Sequence, residues 1–372
     1  MAMNSQVRRT ILKGLALGTP AAFADLTTAT ARPAPSLRDN LRRVLGTMPA
    51  HPQPAFTVLE ASKIAGGVRY KIEYLAEAAD PVLHTPIDLI RAYLLVPDHA
   101  PGARLPAVVA IHQDGPQSHI GKSEVAGLAG DPTLAYGLEL FERGYVVICP
   151  DRFEHAERRR VMPNDMTSVD PDRDDMLVNH WVGQLVLRGR TAYGKEAYDL
   201  SVTTDVLASL DYVDSKRIGA IGHSAGGNAL VYFMFNDPRI ACGVSSCGLF
   251  SETAFYDEKA PKRRMAAFAL PGLLAAGVTA DYLGLIAPRP MLLTRGLSEW
   301  GRDNAADSAF SDAHVQDTRD MEAHARRAYL RMAAPSELNV VYFDEDGGNH
   351  AFPPGVKHQA FQWLDTQLKG PA

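Results

Sequence analysis

A serine flanked by glycines lies in the middle of the chain, in the stretch Gly222-His223-Ser224-Ala225-Gly226. A strand-like run, RIGAI, precedes it, and a helix-like run, NALVYFMF, follows it. In a G-x-S-x-G pattern between a strand and a helix, the serine occupies a sharp turn that exposes its hydroxyl, and close backbone approach requires both glycines. The turn also places the serine at a helix N-terminus, whose partial positive charge favours an oxyanion. The stretch predicts that Ser224 is a nucleophile; the alternative is a tight structural turn.

A candidate base for this serine lies near the C-terminus. A serine hydroxyl is a weak nucleophile at neutral pH and needs a histidine that a carboxylate holds in place. The segment YFDEDGGNHAFPP places His350 in a glycine-rich loop after the last predicted strand, from which an imidazole can return over the sheet edge. We predict that His350 is the general base. His358, in the following helix, is the weaker candidate.

The carboxylate should follow one of the last parallel strands. The segment PMLLTRGLSEWGRD places Glu299 directly after the penultimate strand, and we predict that it orients His350. Asp303 is its chief rival, and Asp307 lies further into the same loop. Two more acidic residues precede His350 and are less suitable, Asp344 and Asp346.

Backbone amides should stabilise the oxyanion. The first donor is expected to be the N–H of Ala225, and the second should come from the loop after AVVAI, which begins at His112 and Gln113. Three side chains adjacent to these positions in the sequence are expected to line the substrate pocket: His112, His223 and Trp300. For Trp300, packing within its own loop is an equal alternative.

The elements around these residues indicate an α/β fold. Continuous apolar runs such as LPAVVAIHQ and GYVVICPD are typical of strands buried on both faces. They alternate with helical patterns, which predicts a doubly wound, mostly parallel sheet, and three earlier runs predict initial antiparallel strands. Residues 32–372 are expected to form one catalytic domain. Two segments interrupt the alternation, near 152–190 and 250–280, and both are expected to be long loops.

The stretches AIHQDG, GKSEVAGLAG, ERGYVVICPD, GHSAGG, LIAPRPMLL and GGNHAFPP together resemble the α/β-hydrolase superfamily. Within it, the chain from about Leu105 onward is similar to the dienelactone-hydrolase-like and acetyl-xylan-esterase-like branch. The resemblance implies a Ser224, His350 and Glu299 triad, with the acid counted from Gly296. It also implies that the second amide donor is Asp114, with Gln113 as the neighbouring possibility. Dienelactone hydrolases proper use cysteine as the nucleophile, so lactone hydrolysis is not implied.

Composition narrows the class of protein. The 372 residues are 46% hydrophobic and 22% charged with a net charge of −5, which is ordinary for a globular protein and argues against a nucleic-acid partner. No apolar run is long enough to cross a bilayer, so no membrane partner is expected. The three cysteines lie in apolar runs without metal-site spacing and are expected to be small buried hydrophobes: Cys149, Cys242 and Cys247. No metal or other cofactor is predicted.

The N-terminus resembles an export signal. Arg8-Arg9 precedes Ile11-Leu12-Lys13 and a modest apolar stretch, as in a twin-arginine signal. Two A-x-A sites follow, at Ala22-Phe23-Ala24 and Ala29-Thr30-Ala31. Residues 1–31 are therefore expected to direct export to the periplasm or the medium. The alternative is a basic N-terminus on a cytoplasmic protein.

These observations predict a serine carboxylic-ester hydrolase that forms an acyl-enzyme intermediate. Its substrate would be a small ester such as an acetylated carbohydrate. The alternatives are a peptidase or thioesterase with the same triad, or a hydrolase fold that binds without catalysis. The sequence leaves the acyl group, the alcohol and the oligomeric state open.

Overall fold

The structure is a computed structural model that describes residues 35–82, 84–114, 119–159, 171–256 and 268–370. From Ser36 onward the chain forms one compact unit. The predicted export signal, residues 1–31, lies outside the described residues. Among the helices that the structure describes, none combines the length and the apolar character that crossing a membrane requires.

Nine strands in the described residues form one mixed sheet. They are β1 (Phe56–Ile64), β2 (Gly67–Glu77), β3 (Asp88–Pro97), β4 (Leu105–Ile111), β5 (Val146–Pro150), β6 (Val213–His223), β7 (Cys242–Ser246), β8 (Met291–Gly296) and β9 (Leu338–Phe343). Their spatial order is β1-β2-β3-β5-β4-β6-β7-β8-β9. The pairs from β1 to β5 along this order are antiparallel, and the pairs from β5 to β9 are parallel. The predicted mostly parallel sheet with initial antiparallel strands is confirmed.

Helices cover both faces of this sheet. They are α1 (Leu37–Leu45), α2 (Lys122–Val125), α3 (Tyr136–Glu142), α4 (Pro171–Leu187), α5 (Ala192–Ala208), α6 (Ala225–Asn236), α7 (Thr253–Tyr256), α8 (Leu273–Ala276), α9 (Thr279–Gly284), α10 (Ala305–Arg331) and α11 (Pro354–Lys369). Apolar side chains of α1, α5, α6, α9 and α10 form one core layer, and those of α2, α3 and α11 form the other. Alternate residues of β4 supply the two layers: Val109 belongs to the first and Val108 to the second. Burial on both faces explains the continuous apolar runs in the sequence.

The segment 152–190 differs from the prediction. It was expected to be a long loop, yet it contains the 17-residue helix α4, so that prediction is wrong for residues 171–187. The stretch DPDRDD looked irregular because it is rich in acids and contains proline. Proline at the first helical position and acids in the first turn both favour a helix start.

Two further regions contain more helix than expected. In the segment 250–280, the described residues include α7, α8 and the start of α9, and residues 257–267 lie outside them. The helical pattern MEAHARRAYLRM predicts a helix only from residue 321, whereas α10 begins at Ala305, because the side chain of Asn304 caps it by accepting bonds from the N–H groups of Ala306 and Asp307. The three cysteines are free and buried, as predicted.

Candidate active site

Ser224 occupies a strained turn between β6 and α6. Its backbone has φ 54° and ψ −124°, a region that a residue with a side chain rarely adopts. Its N–H donates to the Ser246 carbonyl over 2.8 Å, and its own carbonyl accepts from the Asn228 N–H over 3.0 Å. These bonds to β7 and α6 hold the serine in a conformation that costs energy and fix it at the N-terminus of α6.

The glycines of the turn are required by close backbone packing. A Cβ added to Gly222 would lie 2.4 Å from the carbonyl oxygen of Gly226. A Cβ on Gly226 would lie 2.3 Å from the carbonyl oxygen of Ile111 and 2.6 Å from that of His112. Both separations are far below van der Waals contact, as the sequence pattern predicts. The loop after β4 therefore begins directly against the serine turn.

The structure brings the three predicted triad residues together. His350 Nε2 lies 2.7 Å from Ser224 Oγ, and His350 Nδ1 lies 3.2 Å from Glu299 Oε2. The side chain of His350 is 23% exposed and that of Glu299 is 1% exposed. A chain of hydrogen bonds thus runs from the serine hydroxyl through a partly accessible imidazole to a buried carboxylate. This geometry can move a proton from serine to imidazole and stabilise the resulting imidazolium.

The alternative site residues lie elsewhere. The rival acid Asp303 is exposed ahead of α10, and Asp307 lies in the first turn of that helix. Asp344 and Asp346 are exposed in the turn that precedes His350. The alternative base, His358, is exposed on α11.

Arg295 is a fourth member of this group that sequence reasoning missed. Its Nη1 donates to Glu299 Oε2 over 2.7 Å, and the Gly296 N–H donates to the other carboxylate oxygen over 3.1 Å. Both side chains of the ion pair are almost fully buried. The signal in the sequence was an arginine inside the apolar strand MLLTRG, because a buried charge needs an ionic partner.

The carboxylate of Glu299 is held in its ionised form. Burial by itself would raise the pKa of Glu299, but the charge of Arg295 and the hydrogen bond from His350 outweigh burial. His314, whose Nε2 lies 3.6 Å from Oε2, acts in the same direction. The pKa therefore lies well below its ordinary value, so the negative charge beside His350 is present throughout the neutral pH range.

Two rings pack against His350. The Trp300 ring stacks on the imidazole with centroids 5.4 Å apart at 20° and is partly buried. The His223 ring also packs against the imidazole of His350, with ring centroids 5.1 Å apart. Its Nδ1 is 3.0 Å from Ser246 Oγ. Burial, aided by His350, lowers the pKa of His223 to about 3, so this ring is neutral. His223 is 1% exposed, so its ring has almost no surface for the predicted contact with substrate and packs instead against His350.

His112 also lies beneath the site rather than lining it. Its ring is fully buried; Nε2 accepts from the N–H of Arg152 over 3.0 Å, and Nδ1 lies 2.6 Å from the Gln113 carbonyl oxygen. The Nδ1 atom must therefore carry the proton and donate it to that carbonyl. Burial holds the pKa of His112 well below its ordinary value, which agrees with a neutral ring. The His112 ring has no exposed surface for the predicted contact with substrate.

The bond from His112 orients the loop that was predicted to supply an amide donor. In a trans peptide the N–H points away from the carbonyl, so the Asp114 N–H points away from the His112 ring. The side chain of Asp114 accepts from Arg152 Nη1 over 2.6 Å. Gln113 Nε2 donates to the carboxylate of Glu124 over 3.1 Å. Side chains on both sides thus fix the peptide group between Gln113 and Asp114.

Within the part of the chain that the structure describes, two groups of three side chains bring possible metal-ligand atoms within 4.8 Å of one another: Cys247, Glu299 and His350, and Glu77, Asp88 and Asp199. In the first group, the imidazole and carboxylate pair with each other, and burial raises the pKa of the Cys247 thiol well above its ordinary value. In the second, Lys195 contacts all three carboxylates over 2.5–2.7 Å. Protein cations and hydrogen bonds therefore satisfy both groups.

Comparisons with known proteins agree with the fold. The family model for the Prolyl oligopeptidase family matches residues 187–267. The "Putative hydrolase YtaP" of Bacillus subtilis (strain 168) is 27% identical over 209 residues, which are 56% of this chain and 64% of that protein. The alignment thus spans less than two thirds of the curated relative.

Two solved structures share the architecture at low sequence identity, which shows the fold alone. One, described as a putative acetyl xylan esterase from Bacteroides fragilis NCTC 9343, superposes with a TM-score of 0.62 and 17% identity over 83% of this chain and 74% of that chain. A glucuronoyl esterase from Solibacter usitatus gives a TM-score of 0.58 and 14% identity over 88% of this chain and 92% of that chain. With the sheet order and the serine turn described above, these matches show that the chain has the α/β-hydrolase fold.

Proposed function

We propose that the protein is a serine carboxylic-ester hydrolase that uses Ser224, His350 and Glu299. The observation that carries the proposal is the continuous hydrogen-bond chain, 2.7 Å and then 3.2 Å, from a strained serine turn to a buried carboxylate. Two structural neighbours bear the names of carbohydrate esterases, which favours esters over other acyl compounds.

In the first half of the reaction, Ser224 Oγ attacks the ester carbonyl carbon while His350 Nε2 takes its proton. The negative charge of Glu299 stabilises the imidazolium through Nδ1, and Arg295 keeps that carboxylate ionised. We assign the amides of Ala225 and Asp114 to the oxyanion, with the Gln113 amide as the neighbouring possibility. The carbon–oxygen bond to the alcohol then breaks as His350 returns the proton to the leaving oxygen.

The second half repeats these roles with water. His350 takes a proton from water, whose oxygen attacks the acyl carbon and forms a second oxyanion at the same amides. The bond to Ser224 Oγ breaks, and His350 gives the proton back to the serine. The acid leaves and the enzyme is restored. Every proton and electron pair is accounted for by substrate, water and these side chains.

The substrate that we favour is an acetylated carbohydrate or another small ester. The predicted signal in residues 1–31 would export the enzyme to where such esters occur, and residues 32–372 would act as its single catalytic domain. Detection of the processed N-terminus in the periplasm or medium tests the export. Finding the intact chain in the cytoplasm would refute it.

The first experiment measures kcat/KM for p-nitrophenyl acetate, butyrate and octanoate with the wild type and Ser224→Ala. We expect ester turnover that Ser224→Ala abolishes and that falls with acyl length if the acyl pocket is small. Ser336→Ala, which changes an exposed serine far along the chain, is the matched control and should retain full activity. Equal turnover by Ser224→Ala and the wild type would refute the assigned nucleophile.

A peptidase is the second candidate, because the Prolyl oligopeptidase family model matches residues 187–267, which include the serine turn. The same triad can transfer an acyl group from an amine as from an alcohol. Aminoacyl and dipeptidyl p-nitroanilides separate the two. A larger kcat/KM for a p-nitroanilide than for any p-nitrophenyl ester would favour the peptidase.

A further inference from the structure

A cavity of about 530 Å³ lies apart from the triad, where the segment 152–190 meets the start of the sheet. Its walls come from the end of β2 and the loop that follows, the C-terminal half of α4 and the start of α5. This volume falls in the range of about 300–1,000 Å³ that small-molecule sites occupy. The mechanism proposed above does not use any of these walls.

Ion pairs hold the walls together. Arg188, at the end of α4, donates to Asp80 of the loop after β2 over 2.9 Å. Arg190 forms a bidentate pair with Glu77 at the end of β2, with both distances 2.7 Å. The Lys195 ammonium of α5 lies 2.7 Å from Glu77. Buried and half-buried ion pairs thus connect the chain after α4 and the start of α5 to the end of β2 and the loop that follows it.

The cavity and the triad share one edge of the sheet. Ala92 of β3 pairs with Pro150, the last residue of β5, so the start of β3 projects beyond the carboxyl ends of the parallel strands. Ser224 follows the carboxyl end of β6. In the strand order, β3 is three places from β6, which at spacings of about 4.8 Å is about 14 Å across the sheet. A molecule that reached both sites would have to be extended.

The lining has no net charge but many polar atoms. It contains three acids and three bases: Glu77, Asp80, Asp88, Arg188, Arg190 and Lys195. Because these six side chains pair with oppositely charged groups, the cavity offers no excess charge that would attract an anion or a cation. Their remaining lone pairs and N–H groups can still bond hydroxyl groups.

Apolar and amide groups complete the lining. The Trp181 ring offers flat apolar surface, which suits the face of a sugar ring, while the buried Phe153 ring packs against the Lys195 ammonium. Gln184 also lines the cavity, and its Oε1 is buried with no hydrogen-bond partner in the part of the chain that the structure describes. An acceptor of this kind is costly to bury unless a ligand or water satisfies it.

We propose that this cavity is a subsite for a neutral polyhydroxylated chain, namely the sugar units that lie beyond the esterified one. Its use in catalysis rests on the esterase function proposed above; its binding of sugar does not. The reacting ester would sit at Ser224 while the remainder of an extended oligosaccharide reaches the cavity along the sheet edge.

The first test measures binding of xylotriose, which carries no ester, by isothermal titration calorimetry. The wild type should bind it, and Trp181→Ala and Gln184→Ala should each weaken binding at least tenfold. Val186→Ala changes an exposed residue of the same helix that does not line the cavity, and it should bind like the wild type. Gln184→Ala keeps the test valid if Trp181→Ala fails to fold. No binding by the wild type, or equal affinity in both cavity variants, would overturn the proposal.

The second test compares acetylated xylotriose with p-nitrophenyl acetate, which is too short to reach the cavity from Ser224. The ratio of kcat/KM for the two esters should fall at least tenfold in Trp181→Ala and stay at the wild-type value in Val186→Ala. An unchanged ratio in Trp181→Ala would refute the subsite. If the wild type hydrolyses neither ester, the esterase function fails while the calorimetric result still decides whether sugar binds.

Discussion

Replacing Glu299 by glutamine removes the charge beside His350 and preserves the shape of the side chain. In the wild type, Glu299 Oε2 lies 3.2 Å from His350 Nδ1, and both atoms are part of the hydrogen-bond chain to Ser224. In the proposed mechanism, the imidazole becomes positively charged as the serine attacks. Loss of the carboxylate therefore raises the energy of the transition state more than that of the ground state.

The distance sets the size of the effect. Two unit charges 3.2 Å apart attract by about 5 kcal/mol at an effective dielectric constant of about 20. At about 1.4 kcal/mol per factor of ten, this energy corresponds to about 10⁴ in rate. Arg295 opposes part of this attraction, so we expect kcat to fall by about 10³–10⁴ and KM for p-nitrophenyl acetate to change little.

The same change should also destabilise the fold, because it leaves Arg295 buried without its partner. Removing one member of a buried ion pair costs about 3–5 kcal/mol. The double variant Arg295→Met with Glu299→Gln removes both charges and should recover much of the free energy of unfolding. Activity should stay low in the double variant, which separates the catalytic effect from the structural one.

Assays of ester hydrolysis measure the loss of kcat, and urea unfolding measures the loss of stability. Asp303→Asn, at the exposed rival acid, is the control and should remain within twofold of the wild type. A loss of kcat below tenfold in Glu299→Gln would refute the role assigned to this carboxylate. A large loss in Asp303→Asn would move the role to that residue.

Three further changes test other parts of the structure. Gly222→Ala should destabilise the fold by more than about 3 kcal/mol in urea unfolding, because its Cβ would lie 2.4 Å from Gly226. The control is Gly183→Ala in α4, whose Cβ would meet no atom within 4 Å and which should be neutral or stabilising by up to about 1 kcal/mol. Arg190 and Lys195 overcome the effect of burial and lower the pKa of Glu77 to about 2. The stability that the ionised Glu77 contributes should therefore be lost as pH falls from about 5 towards 2, and Glu77→Gln should reduce the pH dependence of the unfolding free energy over that range. An unchanged slope would contradict the pairing. His112→Phe should lower kcat by about 10–10³ with KM for p-nitrophenyl acetate within threefold, because the peptide before Asp114 loses its orienting bond; a change in KM alone would instead indicate a contact with substrate.

The proximity of the three proposed triad residues could be predicted because each of them has a local signature. Ser224 lies in a strand–turn–helix motif, whose glycines report the close packing that the structure shows. Glu299 and His350 each follow a strand of the parallel series, and parallel strands bring such positions to one edge of the sheet. The parallel sheet could be predicted from the sequence because strands buried on both faces appear as continuous apolar runs.

The supporting contacts could not be predicted in the same way. Arg295 and His112 have partners close by in the sequence, Glu299 and Gln113, but only the folded chain fixes the direction of the guanidinium and of the ring. The helix α4 was missed because its acidic start resembles a solvated loop. The cavity depends on pairs such as Arg188 with Asp80, which are more than a hundred residues apart in the sequence.

The placement of the cavity walls has a consequence for how a protein of this fold can change what it binds. The loop after β2 and the helix α4 line the cavity, and among the described contacts they make no hydrogen bond to Ser224, His350 or Glu299. Exchanging either segment for one of another length would alter the proposed subsite and leave Ser224, His350 and Glu299 in place. Natural or laboratory selection can therefore change what the cavity binds by changing one segment at a time.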